Sequence, residues 1–124
     1  MLKKNIGFTL VELLVVITLL ALMLSVVLPQ YLTSLDKGKE TILKNNLNSL
    51  RVAIDHYYAD QGVYPVTLDI LVKEKYIRNV PIDPITQNKN WKITYYEDNP
   101  NLGIYDVSSS SLEVSQNGQI YSAW

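Results

Sequence analysis

The chain of 124 residues contains no cysteine and only one histidine. Without cysteine, no disulfide can staple an exported domain and no thiol chemistry is available. The histidine, His56, stands beside Asp55 and Tyr57 on an expected helix, where a solvated surface group is the ordinary interpretation. No Ser–His–acid set, metal-ligand cluster, glycine-rich phosphate loop or pair of cleft carboxylates can be assembled from the sequence. The sequence therefore predicts no enzyme, no catalytic residue and no metal ligand.

Positive charge is also scarce in this chain. Eleven Lys and Arg residues stand against twelve Asp and Glu residues, and the formal net charge is −1. No basic cluster is longer than the KGK stretch at residues 37–39. Nucleic-acid-binding proteins normally carry a basic patch or stripe. Nucleic acid is therefore excluded as a main partner.

The most prominent feature that is present is an apolar run from Phe8 to Leu28. A helix of about twenty apolar residues spans the hydrocarbon core of a bilayer. Two lysines precede the run and the next basic residue is Lys37, so the positive-inside bias places residues 1–7 in the cytoplasm. A secretory signal peptide is the alternative, but the residues after Leu28 offer no small-residue cleavage site. We expect the span to remain in the mature protein.

One carboxylate, Glu12, interrupts the start of this run. A carboxylate at the centre of a membrane helix costs about 2.5–3.5 kcal/mol on insertion scales, and less near the interface, where the side chain reaches polar surroundings. Two interpretations stay open on position alone. Glu12 is either a tolerated interfacial carboxylate or a carboxylate that awaits a partner within the membrane.

The stretch from Lys3 to Leu13, KKNIGFTLVEL, resembles the class III signal of type IV prepilins and type II secretion pseudopilins. The resemblance implies that a membrane-embedded prepilin peptidase cuts between Gly7 and Phe8 and methylates the new amine of Phe8. It also implies that Glu12 neutralises the Phe8 amine of a neighbouring subunit during assembly. Such pairing removes the penalty of burying two separate charges and fixes the axial register between subunits.

Beyond the run, the sequence predicts an amphipathic helix that ends near residue 61. Its stripe recurs at spacings of four and three residues and comprises Leu43, Leu47, Leu50, Ile54 and Tyr57. Pro29 is expected to kink the helix without necessarily ending it, and Gly62 is expected as its C′ residue. Glu40 and Lys44 are expected to form a helical ion pair on a solvated face or to contact a neighbouring subunit.

The remaining sequence predicts short elements separated by turn signals. The stretch TLDILVKEKYI predicts a second helix over residues 67–77 with Thr67 as its N-cap, and residues 79–90 predict an ordered loop. Three strands of an antiparallel sheet are predicted at residues 91–96, 102–108 and 118–124. The apolar face of this sheet is expected to receive the stripe of the long helix.

This α+β arrangement, a long N-terminal helix packed on a small antiparallel sheet, is similar to the type IV pilin fold. Stretches such as YYADQGVYP also resemble the major pseudopilin of type II secretion systems. The resemblance implies a leader peptide at residues 1–7, a membrane-spanning and filament-core helix at residues 8–28, and a periplasmic pilin-like domain at residues 29–124. It places the chain in a bacterial inner membrane.

The resemblance also implies a function and a set of partners. The chain is expected to be a structural subunit that polymerises by its N-terminal helix into a helical homo-oligomeric filament, a pseudopilus that drives protein export across the outer membrane. The implied partners are membrane lipid before assembly, the prepilin peptidase, and the assembly platform and ATPase of the inner membrane.

Two other functions stay open. One is a type IV pilin subunit of a surface fibre for adhesion, motility or DNA uptake, and the lack of cysteines favours secretion over this alternative. The other is a membrane-anchored enzyme or ligand-binding domain that shares the leader, which the small exported part without a visible site disfavours. The nine tyrosines are expected to serve core and inter-subunit packing rather than a sugar-binding platform.

Calcium is the one cofactor that the resemblance raises. Many major pseudopilins hold a calcium ion in the C-terminal loop with aspartates and backbone carbonyls, which suit a hard cation. The corresponding stretch here, SSSSLEVSQNGQ, has Glu113 as its only acidic residue. The sequence therefore predicts no cofactor, and we expect the serines and Asn117–Gly118 to close the loop by side-chain-to-backbone hydrogen bonds and a tight turn.

Overall fold

The computed structural model describes residues 6–124 and contains one long helix, α1, which runs from Leu10 to Gln61. The helix is continuous through Pro29, so the proline does not end it. The chain divides into two compact units between Leu35 and Asp36. The helix therefore begins in the first unit and ends in the second.

In the first unit, every residue from Ile6 to Leu35 is exposed within the single chain. The most apolar 18-residue window of α1 has a mean hydropathy of 2.8, and none of its residues is buried. Among the described residues, α1 is the one helix long and apolar enough to cross a membrane. The predicted anchor is therefore present as a continuous and predominantly apolar stretch of α1.

In the second unit, α1 supplies one side of a hydrophobic core. Its buried residues are Leu43, Leu47, Leu50, Ala53 and Ile54, which confirms the predicted stripe. Tyr57 packs against the edge of this core and is half-buried. The residues that complete the core come from the rest of the unit and are Leu71, Val80, Trp91, Ile104, Val107 and Tyr121. Fully burying a Leu or Ile side chain contributes about 1.5–3 kcal/mol.

A two-stranded antiparallel sheet faces this helix. Strand β1 spans Lys92–Tyr95 and strand β2 spans Ile104–Ser108, with Ile93 opposite Val107. Ile93 and Tyr95 are less exposed than the residues that alternate with them. The first two predicted strands and their inward face are therefore confirmed.

The third predicted strand, at residues 118–124, is wrong. Ile120 forms a single antiparallel bridge with Val114, and the chain then turns into a short 3-10 helix at Tyr121–Ala123. A 3-10 helix places residues three apart on the same side, and the rings of Tyr121 and Trp124 meet there with centroids 5.1 Å apart. This aromatic contact replaces strand pairing as the means of burying the segment.

The second helix, α2, is shorter than predicted and spans Leu68–Lys73. It ends because Lys75 adopts a positive φ of 64° and the Tyr76 amide donates to the Leu71 carbonyl at 2.8 Å. This is the hydrogen bond of a Schellman motif, in which a glycine usually takes the left-handed position. Thr67 occupies the N-cap position as predicted, but its side chain makes no capping hydrogen bond.

Helix α1 ends at Gln61, where the sequence predicts its end. Gly62 follows the helix with a positive φ of 74°, and its amide donates to the Tyr58 carbonyl at 2.8 Å. The described elements therefore form the α+β type IV pilin fold, in which a long N-terminal helix packs on a small antiparallel sheet.

Candidate functional site

Gly7 and Phe8, the predicted processing residues, lie in irregular backbone just before α1. The Phe8 side chain is 84% exposed. A Cβ atom placed on Gly7 would meet no atom within 4 Å. The peptide bond between the two residues is therefore open to an approaching protein on the side of Gly7.

Glu12, the predicted assembly residue, lies in the first turn of α1 and contacts Thr9. The Glu12 amide donates to the Thr9 hydroxyl at 3.1 Å, and the Thr9 amide donates to Glu12 Oε2 at 3.4 Å. This reciprocal pair is a capping box, which satisfies amide donors that a helix start otherwise leaves unpaired. A carboxylate in the first turn also interacts favourably with the helix dipole.

The capping box brings Glu12 close to the residue that processing would expose. The Thr9 amide, which Glu12 accepts, belongs to the same peptide unit as the Phe8 carbonyl. This arrangement was not predicted from the sequence, although the spacing of Thr9 and Glu12 matches the Ser/Thr-x-x-Glu signature of a capping box. Within one chain Glu12 thus has a structural role as a helix cap, and its pairing with another chain stays a prediction.

The rest of the described residues contain no side-chain group of the kind that binds metal ions. Among them, no group of three or more His, Cys, Asp or Glu side chains could hold a metal ion, and His56 is exposed. A surface cleft of about 410 Å³ lies beside α2 and is lined by Val72, Lys75, Tyr76, Ile77 and Arg78. This lining contains no carboxylate and no imidazole.

Arg51 of α1 bridges distant segments of the second unit by hydrogen bonds. Its Nε donates to Asp106 Oδ1 at 2.7 Å, and its Nη2 donates to the backbone oxygens of Val107 and Trp124 at 2.9 and 2.7 Å. The guanidinium presents several donors in one plane, so one side chain reaches both β2 and Trp124. Sequence reasoning missed this contact because its partners are more than fifty positions away.

Glu40 of α1 accepts two hydrogen bonds from a distant part of the chain. The Gln116 amide and the Tyr121 hydroxyl each donate to Glu40 Oε1 at 2.9 Å. The predicted helical pair with Lys44 is not among the ion pairs of the described residues, and the Lys44 ammonium lies 4.9 Å from the centre of the Trp124 ring. Burial, followed by the hydrogen bond to Glu40, raises the pKa of Tyr121 to about 12.

Asp83 is fully buried within the loop that precedes β1. Its Oδ1 accepts from the Ile85 amide at 2.8 Å, and its Oδ2 accepts from the Ser109 hydroxyl at 2.5 Å. Buried carboxylates persist where hydrogen bonds replace their hydration. Asp83 therefore confirms the predicted ordered loop and joins it to the segment after β2.

Four tyrosines form a cluster on the surface of the second unit. The Tyr58 and Tyr64 rings stack with centroids 4.3 Å apart, and Tyr96 and Tyr105 lie 5.1 and 5.6 Å from Tyr64. Burial and the neighbouring tyrosines raise the pKa of Tyr64. The predicted packing role is thus seen within the chain, as contacts among the rings themselves.

Comparisons with known proteins point to one family. A prokaryotic N-terminal methylation motif matches residues 2–28. Type II secretion system core protein G of Pseudomonas aeruginosa is 31% identical over 98 residues, which cover 66% of this chain and 69% of that protein. Core protein G of Escherichia coli K12 is 32% identical over 124 residues, which cover 86% of this chain and 81% of that protein.

The likeness extends over nearly the whole chain in a third relative. Type II secretion system core protein G of Vibrio cholerae is 29% identical over 133 residues, which cover 94% of this chain and 87% of that protein. No solved structure gives a significant match. The shared sequence therefore includes both the N-terminal motif and the second unit.

Proposed function

Because this chain belongs to the type II secretion system core protein G family, we propose that it is processed at its N-terminal motif and then assembled through α1. The chain is a structural subunit of a pseudopilus. We assign cleavage to the bond between Gly7 and Phe8 and methylation to the amine of Phe8. The observation that carries this proposal is the exposed and predominantly apolar N-terminal part of α1, which follows an open Gly7–Phe8 bond.

The first unit needs an environment that the chain itself does not provide. None of the residues in its most apolar window is buried, and burying such surface is favourable by about 25 cal/mol per Å². The apolar helix and the family together indicate anchoring in the inner membrane. Lipid would cover the helix before assembly, and α1 helices of neighbouring copies would cover it in the filament.

Glu12 would gain a second partner when the chain passes from the membrane into the filament. In the single chain it caps α1 through Thr9. In the filament it would also receive the methylated ammonium of Phe8 from a neighbouring copy, which removes the penalty of two separately buried charges. The second contact would fix the axial position of each subunit.

The remaining partners and the location of the filament follow from this role. A prepilin peptidase would perform both processing steps, and an assembly platform with a cytoplasmic ATPase would supply the energy for polymerisation. The second unit would lie in the periplasm. The relatives are named as core proteins of the type II secretion system, and we propose for this chain a structural role without catalysis. A surface type IV pilin is not favoured by the comparisons.

The test separates the two contacts of Glu12 in a host strain that lacks its own copy of the gene. Glu12→Gln keeps an amide oxygen that can complete the capping box, but it removes the negative charge. We expect this variant to insert normally in the inner membrane, while filament yield and secretion fall at least about tenfold, because an unpaired buried ammonium costs several kcal/mol.

Thr9→Val is the matched control. It removes the hydroxyl of the capping box, at a cost of about 1 kcal/mol to the helix start, and leaves the Glu12 charge in place. We expect near-normal filament yield. Full assembly of Glu12→Gln, or equal defects in both variants, would show that Glu12 acts only as a helix cap.

A further inference from the structure

The segment from Ser109 to Trp124 includes most of the stretch at residues 108–119 in which the family resemblance implies a calcium ion. Calcium takes six to eight oxygen ligands, drawn from carboxylates, backbone carbonyls and water. The residues of this segment do not fit that requirement. Several of their backbone oxygens already accept hydrogen bonds.

Backbone carbonyls of the segment accept from backbone amides of the same segment. The Ser111 and Glu113 carbonyls accept from Ser122 and Tyr121 at 3.1 and 3.0 Å. The Ser115 carbonyl accepts from Gly118 at 3.0 Å, and the Gln119 carbonyl accepts from Ser115 at 2.7 Å. The predicted tight turn at Asn117–Gly118 is thereby confirmed. These carbonyls point at amides rather than at a shared empty centre.

The carboxylates near the segment do not form a metal-binding group. A small cleft of about 130 Å³ is lined by Asp36 and Glu113, together with the Lys39 side chain, which carries its own positive charge. Glu113 is exposed. Among the described residues, no metal-binding group of three or more such side chains exists.

We propose that the Glu40 carboxylate of α1 closes the segment 109–124 in place of a calcium ion. One oxygen of Glu40 receives both the Gln116 amide and the Tyr121 hydroxyl at 2.9 Å. Hydrogen bonds to a charged acceptor are roughly twice as strong as those between neutral groups. Glu40 is half-buried and Tyr121 is buried, so solvent competes little for the hydrogen bond between them, whereas the Gln116 amide donates from an exposed residue.

The arrangement reverses the polarity of a calcium loop. A bound cation would draw oxygens of the loop towards a positive centre, whereas Glu40 draws an N–H and an O–H group of the segment towards a negative centre. The partners lie 76 and 81 positions from Glu40 in the sequence. The segment is therefore fixed to a rigid helix, and Glu40 is a positioning residue for it.

The first measurement uses calcium chloride alone as the probe. Thermal unfolding of the full chain in detergent micelles is followed by near-ultraviolet circular dichroism, with calcium chloride or with a calcium chelator. A ligand at about a hundred times its Kd would raise Tm by on the order of ten degrees. We expect a shift of less than about one degree; a rise of ten degrees would overturn the proposal.

The second measurement follows amide hydrogen exchange across the segment in Glu40→Ala and in Asp55→Ala. Both changes replace an acidic residue of α1 with a strong helix former, and Asp55 is exposed. We expect exchange of residues 113–121 to accelerate at least about tenfold in Glu40→Ala, which corresponds to a loss of about 1.4 kcal/mol. We expect no change there in Asp55→Ala.

Glu40→Gln keeps the test decisive if Glu40→Ala unfolds. The amide oxygen of Gln still accepts both hydrogen bonds but lacks the charge, so we expect intermediate protection of residues 113–121. Equal protection in Glu40→Gln, Asp55→Ala and the unaltered chain would contradict a closing role for the Glu40 charge. None of these readouts depends on processing, assembly or secretion.

Discussion

At the scale of single residues, Gly103 shows how closely two backbone segments approach. A Cβ atom at this position would lie 2.5 Å from the Tyr64 carbonyl oxygen, and the φ angle is +92°. The neighbouring Ile104 amide donates to the Pro65 carbonyl at 2.7 Å. Glycine is therefore required both by the backbone conformation and by the space available.

We predict that Gly103→Ala lowers the free energy of unfolding by on the order of 3 kcal/mol, because the new methyl group adds a clash to the strain of a positive φ. Chemical denaturation of the full chain in detergent measures this change. Gly62→Ala is the control, since its φ is +74° and a Cβ would meet nothing within 4 Å. We expect it to cost about 1 kcal/mol; equal losses would mean that the contact with Tyr64 has no effect.

Tyr121 links the stability of the second unit to alkaline pH. Burial, the hydrogen bond to Glu40 and the charges of Asp36 and Glu113 raise its pKa from 10.0 to about 12. The folded state thus holds the phenol proton more tightly than the unfolded chain does. Its contribution to stability is complete below pH 10.0 and is lost as the pH rises to about 12.

We predict that Tyr121→Phe weakens the fold at neutral pH but reduces the loss of stability between neutral and alkaline pH. Phenylalanine lacks the hydroxyl that donates to Glu40 and does not titrate. Denaturant unfolding at a series of pH values compares the two proteins. The pKa values of Tyr64 and Tyr76 are also raised, but both proteins retain these groups. Parallel pH profiles would contradict the role given to Tyr121.

The site residues differ in how far the sequence could predict them. Gly7, Phe8 and Glu12 stand in one short motif, so a local pattern was enough to single them out. Glu40 and Arg51 were missed as anchors because their partners are distant in the sequence. Local spacing instead suggested a helical ion pair for Glu40, and only the folded chain shows the competing partners.

At the scale of elements, the stripe of α1 holds the second unit together. Leu47 is 2% exposed within the core, whereas Ile42 on the same helix is 51% exposed. Removing buried methyl groups loses their transfer free energy and leaves a cavity. The two residues are similar in size and lie on the same helix, so a comparison of their alanine variants isolates the effect of burial on stability.

We predict that Leu47→Ala lowers the free energy of unfolding by about 2–5 kcal/mol, whereas Ile42→Ala changes it by less than about 0.5 kcal/mol. Both proteins are measured in detergent as dispersed chains, so that contacts within a filament do not contribute. Denaturant unfolding gives the two values. A similar loss in both variants would contradict the one-sided packing of α1.

The elements also show where periodic patterns succeed and fail. The stripe of α1 and the alternation in β1 predicted their buried faces, because a single core selects one face of each element. The segment 118–124 contains adjacent apolar residues and a Tyr–Trp spacing of three, which suits a 3-10 turn as well as a strand. A tertiary hydrogen bond from Tyr121 to Glu40 and a local ring contact between Tyr121 and Trp124 accompany the 3-10 turn there.

At the scale of the whole molecule, the two units have different needs. The second unit contains the hydrophobic core, with ties from Arg51, Glu40 and Asp83. The first unit exposes apolar side chains throughout its described length. The proposed function accounts for this surface, because lipid would cover it before assembly and other copies of the chain would cover it in the filament.

The most direct test of this role is the mass and tandem sequence of the N-terminus of the protein isolated from its native membrane. Processing and assembly as proposed require a chain that starts at Phe8 with a methylated amine. A chain that retains Met1, or one that starts beyond Leu28, would contradict the proposal, because neither would present the Phe8 ammonium to Glu12 of a neighbouring subunit.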